Sequence, residues 1–162
     1  MEEPAALSQR PPLQEDEEFL FRLYADSRAA EMASWGWPPA QQESFLRMQF
    51  RARRESYAAT HEGAVQSILL LGDTPVGSTI VWQSPSEIRL VDLALLPEFR
   101  NRGLGARWLA RLIGQAAAIQ IPLRLSVHRG NPAIHLYERL GFASTAAGPI
   151  YIEMEHKRVG SK

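Results

Sequence analysis

Residues 96–109, "LPEFRNRGLGARWL", gather the ingredients of an anion site in one stretch. Gly103 and Gly105 stand two apart, and Arg100 and Arg102 come just before them. Leu104, Trp108, Leu109, Leu112, Ile113 and Ala116 then follow at helical spacing. The first N–H groups of a helix have no intrahelical acceptor, and the helix dipole adds partial positive charge there. Glycine lets the backbone come close to a ligand, and arginine supplies donors suited to phosphate. The better-known phosphate loops do not fit. There is no Gly-x-x-x-x-Gly-Lys-Ser/Thr, and Trp108 stands where a dinucleotide fingerprint has its third glycine. Tryptophan is too large for the close helix–strand contact made there, which disfavours a nicotinamide or flavin site.

Composition removes several other chemistries. The chain has no cysteine, so disulfides, thiolate metal sites and a cysteine nucleophile are excluded. His61, His128, His135 and His156 show no paired ligand spacing, so no metal is expected. No Gly-x-Ser-x-Gly occurs, which argues against a serine hydrolase. Eighteen basic residues balance eighteen acidic ones, so nothing draws the chain generally to nucleic acid or to a membrane surface. No apolar run approaches the ~20 residues that span a bilayer. The start, "MEEPAALSQR", is acidic and lacks the pattern of a secretory signal, and a cytoplasmic location is expected.

The elements that must position the loop can be read from hydrophobic period and turn chemistry. "ALSQRPPL" reads as an edge strand closed by Pro11 and Pro12. Residues 14–30 read as a helix, with Phe19, Leu20, Leu23 and Tyr24 on one stripe and acids in its first turn. A second helix is expected from about Ala40 to Ala59, with Phe45, Met48, Gln49 and Ala52 along one side and arginines covering another. "VQSILLL", "PVGSTIVWQ" and "EIRLVDLALL" are strand-like runs separated by the turns "GDTP" and "SPSE", a three-strand meander. After the glycine loop and its helix come the strand "LRLSV" and a short helix with Asn131 and Pro132 as cap and first residue. That helix stops at Gly141, and "FAST" and "PIYIEME" close the chain as a strand pair. The expectation is one domain over 1–162, with a fold core of about 7–154 and a tail over 155–162. Its class is α+β in the order β-α-α-β-β-β-α-β-α-β-β.

"RNRGLG" resembles the Arg/Gln-x-x-Gly-x-Gly/Ala loop of the GNAT superfamily of N-acetyltransferases, and residues 92–112 resemble that family's block of strand, loop and helix. "NPAIHLYERLGF", residues 131–142, is similar to the family's second block and lies at the right distance downstream. The resemblance implies a GNAT-like mixed, mostly antiparallel sheet of about six to seven strands with helices on both faces.

It also implies a site. In this family the loop holds the pyrophosphate of acetyl-CoA through backbone N–H groups, which carries onto Arg100, Asn101, Arg102, Gly103, Leu104 and Gly105. Arg100 and Arg102 either add charge to that grip or are simply solvated. The fourth strand, often bulged in the family, pairs with the pantetheine arm, which maps onto Leu93, Ala94 and Leu95. A backbone N–H near Leu93 would face the thioester oxygen. Asn131 matches a cofactor contact, and is equally an ordinary helix cap. Tyr137 matches the tyrosine near the sulfur, a general acid for the leaving thiolate, or else a packing residue beside Leu136 and Leu140.

The attacking amine must lose a proton. Asp92 is the nearest carboxylate by sequence, with Glu87 and His128 as alternatives and a purely structural Asp92 as another reading. The first two helices and their loop wall the acceptor site in the family. Trp35 and Trp37 therefore either close over a ligand or seal a core, and Arg89 could point into the cleft. The function implied is transfer of acetyl from acetyl-CoA to a primary amine of a small molecule or peptide. Transfer of another acyl group, or a CoA-binding sensor without turnover, are the alternatives. Dimers are common in the family, but no residue here specifies an interface.

Overall fold

The computed structural model of the chain describes residues 5–156. Its elements are β1 (Leu7–Arg10), α1 (Glu17–Ala33), α2 (Pro39–Thr60), β2 (Val65–Leu71), β3 (Thr74–Gln83), β4 (Ile88–Leu95), α3 (Leu104–Ile119), β5 (Leu123–His128), α4 (Ala133–Arg139), β6 (Phe142–Ala147) and β7 (Tyr151–His156). This is the order expected from the sequence. The seven strands form one open sheet in the order β1-β2-β3-β4-β5-β7-β6. β4 and β5 are parallel, whereas β1–β2, β5–β7 and β6–β7 are antiparallel. β1 does lie at an edge, where Pro11 and Pro12 end it without breaking a ladder. β7 runs through His156, two residues into the expected tail, and the rest of that tail lies outside the described residues. No helix among the described residues is long and apolar enough to cross a membrane.

The chain divides into two compact units. The first is built on residues up to Ile80 together with Leu93–Arg100. Here α1 buries Leu20 and Leu23 against Ile68 of β2 and Leu96, with Ala94 and Phe99 packed alongside. Phe21, Tyr24 and Met32 of α1 form a second cluster with Leu46 of α2. α2 thus turns Leu46 and Phe50 inward, while Met48, expected on the inner stripe, is exposed. Its arginines are not merely solvated: Arg54 pairs with Glu17 and Arg47 with Glu18, both at the start of α1. Ahead of α1, Arg10 forks onto the buried Asp16, which also accepts the N–H of Leu13. The guanidinium and that N–H hold the Asp16 carboxyl below the usual carboxylate range.

The second unit comprises Val81–Asp92 and the chain from Asn101 onward. α3 buries Leu104, Trp108, Leu109, Leu112 and Ala116, the stripe read from the sequence. β5 buries alternate residues Leu123, Leu125 and Val127, the period of a strand with one covered face. β4 pairs with β5 from Ile88–Leu123 to Leu90–Leu125, and the register ends there although β4 continues through Val91 and Asp92. Gly141 follows α4 at φ 104°, where a side chain would crowd the His156 ring. His156 Nε2 meets the Leu140 carbonyl at 2.8 Å, tying the end of α4 to β7.

Candidate functional site

The glycine loop carries two residues with left-handed backbone. Asn101 sits at φ 61° and Gly103 at φ 78°, both left-handed. Asparagine and glycine are the residues that adopt this region most readily. Gly103 is the N-cap of α3, and no side chain caps the helix. The first helical bond runs from the Arg107 N–H to the Gly103 carbonyl at 3.0 Å. The N–H groups of Gly103, Leu104, Gly105 and Ala106 therefore have no helical acceptor, the condition under which a helix start can receive an anion. Leu104 and Gly105 are buried, Asn101 and Arg102 are exposed, and a Cβ at Gly103 would meet nothing within 4 Å. The glycine is needed there for its backbone angle, not for space.

In the first unit the end of β4 is held on one side by β3. The Leu96 N–H donates to the Val76 carbonyl at 2.9 Å. A Cβ built on Gly77 would run into the Ala94 carbonyl, so only glycine fits there. Gly77 is a residue the sequence reading passed over, although a lone glycine inside the strand run "PVGSTIVWQ" is the signal of such close approach. Ala94 and Leu96 thus aim backbone groups toward β3, and alternation turns those of Leu95 the other way. The Leu95 carbonyl accepts from Arg100 Nε at 3.0 Å. Trp35, Trp37 and Phe45 form an aromatic group with ring centroids 5.1–5.7 Å apart, Trp35 being the more exposed of the two tryptophans. Trp37 packs onto the α1–α2 core.

In the second unit the fold brings Tyr137 and Asp92 together. Tyr137 is buried on α4 against Phe142, ring centroids 5.7 Å apart. Burial, and then the negative charge of Asp92, push its phenol up to about 12. α4 starts one residue later than expected, with Pro132 rather than Asn131 at its cap position, and Asn131 Oδ1 accepts the Ala133 N–H at 2.9 Å. Its side-chain oxygen is thus already engaged.

Arg89 is held by two carboxylates, Glu87 at 3.2 Å and Glu153 at 3.1 Å, so a substrate carboxylate would have to compete for it. Glu153 lies 64 residues away, beyond any local pattern. Glu87 is taken up in the same pair. His128 is exposed at the end of β5, its Nδ1 accepting the Gly130 N–H at 3.3 Å and its ring against Tyr151.

Comparison with known proteins agrees with this fold. The model of the Acetyltransferase (GNAT) family matches residues 18–142. A PaiA N-acetyltransferase from Thermoplasma acidophilum, solved in complex with coenzyme A, is 20% identical with a TM-score of 0.70, over 94% of this chain and 99% of that one. An acetyltransferase from Thermus thermophilus is 21% identical with a TM-score of 0.66, covering 93% of this chain and 96% of its own. The ribosomal-protein-S18-alanine N-acetyltransferase from Escherichia coli is 19% identical with a TM-score of 0.62, covering 93% of each chain. No curated protein matches in sequence.

Proposed function

Because the chain belongs to the GNAT family of acetyltransferases, we propose that it transfers the acetyl group of acetyl-CoA to a primary amine of a small molecule or peptide by direct attack. Acetyl-CoA is the acyl donor of the family, and family members act on amines. The observation that carries the reading is the uncapped start of α3, where four N–H groups without helical acceptors follow a turn with positive φ at Asn101 and Gly103. In this proposal the backbone of the Arg100–Gly105 loop from Asn101 onward holds the pyrophosphate, while in the stretch Leu93, Ala94 and Leu95 the Leu93 backbone and the Leu95 N–H, which alternation turns away from β3, take the pantetheine arm. Asn131 has one donor group, its amide N–H₂, left for the cofactor.

The amine nitrogen forms a bond to the acetyl carbon, the carbon–sulfur bond breaks, and the nitrogen gives up a proton. An alkyl ammonium has a pKa of roughly 10.4, so its proton must leave before attack. Asp92 is the proposed acceptor, directly or through water. Tyr137, expected as the general acid, is proposed here as the hydrogen-bond donor to the leaving sulfur. A phenol near 12 stays protonated at neutral pH, so it can donate but not act as a base. A thiolate of pKa roughly 8.5 does not strip such a phenol at equilibrium. Tyr137 therefore acts by donating a hydrogen bond to the sulfur as charge develops, and solvent supplies the final proton.

Trp35 and Trp37 are the proposed acceptor wall, and Arg89 contributes as part of its ion pair with Glu153 rather than as a free cation. A cytoplasmic setting is retained as part of the proposal. Thiol release from acetyl-CoA against a panel of small amines, amino acids and peptides is the test. Turnover on one class supports the reading and names the acceptor. Binding of acetyl-CoA without turnover on any of them would favour a sensor.

A further inference from the structure

The bond between Arg100 and Leu95 assigns Arg100 a role different from the phosphate contact its charge suggests. The side chain does not extend from the loop but folds back five residues, and its Nε donates to the last carbonyl of β4 at 3.0 Å. The Arg100 N–H also bonds within this short turn, to the Pro97 carbonyl at 3.2 Å, and the Phe99 N–H bonds to the Leu96 carbonyl at 2.9 Å. Residues 95–100 thus form a closed turn whose first carbonyl and last side chain are latched. β3 fixes the opposite edge at the same level, through Val76 and Gly77. The Leu95 carbonyl is the acceptor that alternation leaves on the edge away from β3, and Arg100 occupies it.

We propose that the side chain of Arg100 is a positioning group, setting the exit of β4 and the entry of the phosphate loop through its bond to Leu95, and that its guanidinium is not a phosphate ligand. The chemistry of the side chain makes this specific. Arginine Nε stands four atoms from Cα, the place where glutamine carries its amide nitrogen, whereas the lysine ammonium lies one atom further out. A latch needs a donor at that atom and no charge. A phosphate contact needs charge and tolerates lysine. The effect on acetyl-CoA rests on the proposed function, but the latch does not.

The test compares wild type with Arg100→Gln, Arg100→Lys and Arg100→Met in two measurements. Amide hydrogen exchange over residues 96–101 of the protein without ligand reads the latch alone. Protection should be kept in Gln and lost by roughly fivefold or more in Met and Lys, the scale of one net hydrogen bond. Calorimetric titration with CoA at low and high salt reads the consequence. Gln should bind within about twofold of wild type with the same salt dependence, and Met and Lys several-fold more weakly. If Lys binds as wild type while Gln binds weakly with a shallower salt dependence, Arg100 is a phosphate ligand and the proposal is wrong. Equal exchange protection in all four proteins would also overturn it, whatever the titration shows. If wild type does not bind CoA, the proposed function fails, and the exchange pattern still decides the latch.

Discussion

The phenol of Tyr137 on α4 lies within the field of the Asp92 carboxylate on β4, and both burial and that charge oppose its ionisation. The tyrosine therefore keeps its proton at neutral pH. Tyr137→Phe should lower kcat by roughly ten- to a hundredfold, at the low end of general-acid effects, with KM for acetyl-CoA within about twofold. Steady-state thiol release measures both. A variant as active as wild type across pH would remove Tyr137 from the chemistry.

The pH profile follows from the same pair. Rate should rise with pH as the acceptor amine deprotonates, toward roughly pH 10. Tyr137 should impose no falling limb until pH approaches its own value of about 12. Asp92→Asn removes the smaller of the two causes, so the phenol should titrate lower but still above its ordinary 10.0. The folded-state value is raised, so the stability Tyr137 contributes is complete below pH 10 and is lost as pH rises through about 12. Phenolate absorbance of wild type against Tyr137→Phe checks the titration. A phenol in the native protein that titrates at or below 10 would contradict this picture.

Two glycines give opposite results with the same substitution. A methyl at Gly77 meets the Ala94 carbonyl, so Gly77→Ala must push the end of β4 aside, at a cost of about 1–3 kcal/mol. CoA affinity should fall with it, because the displaced backbone is the proposed partner of the pantetheine arm. A methyl at Gly114 meets nothing within 4 Å in the interior of α3, and Gly114→Ala should stabilise by about 0.5–1 kcal/mol. Thermal denaturation of the two variants measures the contrast.

At Gly103 there is space for a side chain but not the right backbone. Gly103→Ala places a Cβ at φ 78° and should cost about 1–2 kcal/mol of strain. The strain is relieved if the turn flattens, which withdraws the N–H groups of Leu104 and Gly105 from their common target. CoA binding should weaken by roughly tenfold while the fold survives, which calorimetry and circular dichroism together would show.

How far the residues alone foretold this can be judged at particular positions. Element order and the buried stripe of α3 followed from period, because Leu104, Trp108 and Leu112 recur at a spacing that admits one inward face. The α2 stripe followed only in part: Phe45 packs with Leu46 and Phe50 on the α1 core, whereas Met48 and Ala52 are exposed. Insertion of β7 between β5 and β6 depends on long-range pairing that no local pattern encodes. The loop was legible because Gly103 and Gly105 stand beside two arginines at the start of a helical period, whereas the left-handed angle of Asn101 was not. Arg89 and Arg100 were visible as charges but not as partners: one is taken by Glu153 from a distant strand, the other by a backbone carbonyl that carries no sequence mark.

The central claim is that the backbone at the start of α3 grips the pyrophosphate of acetyl-CoA. Calorimetric titration with CoA and with pantetheine, which lacks the phosphates, tests it most directly in wild type and Gly103→Ala. The account predicts that wild type binds CoA far more tightly than pantetheine, and that Gly103→Ala loses most of that difference. Equal affinity of wild type for the two ligands, or no binding of CoA at all, would contradict it.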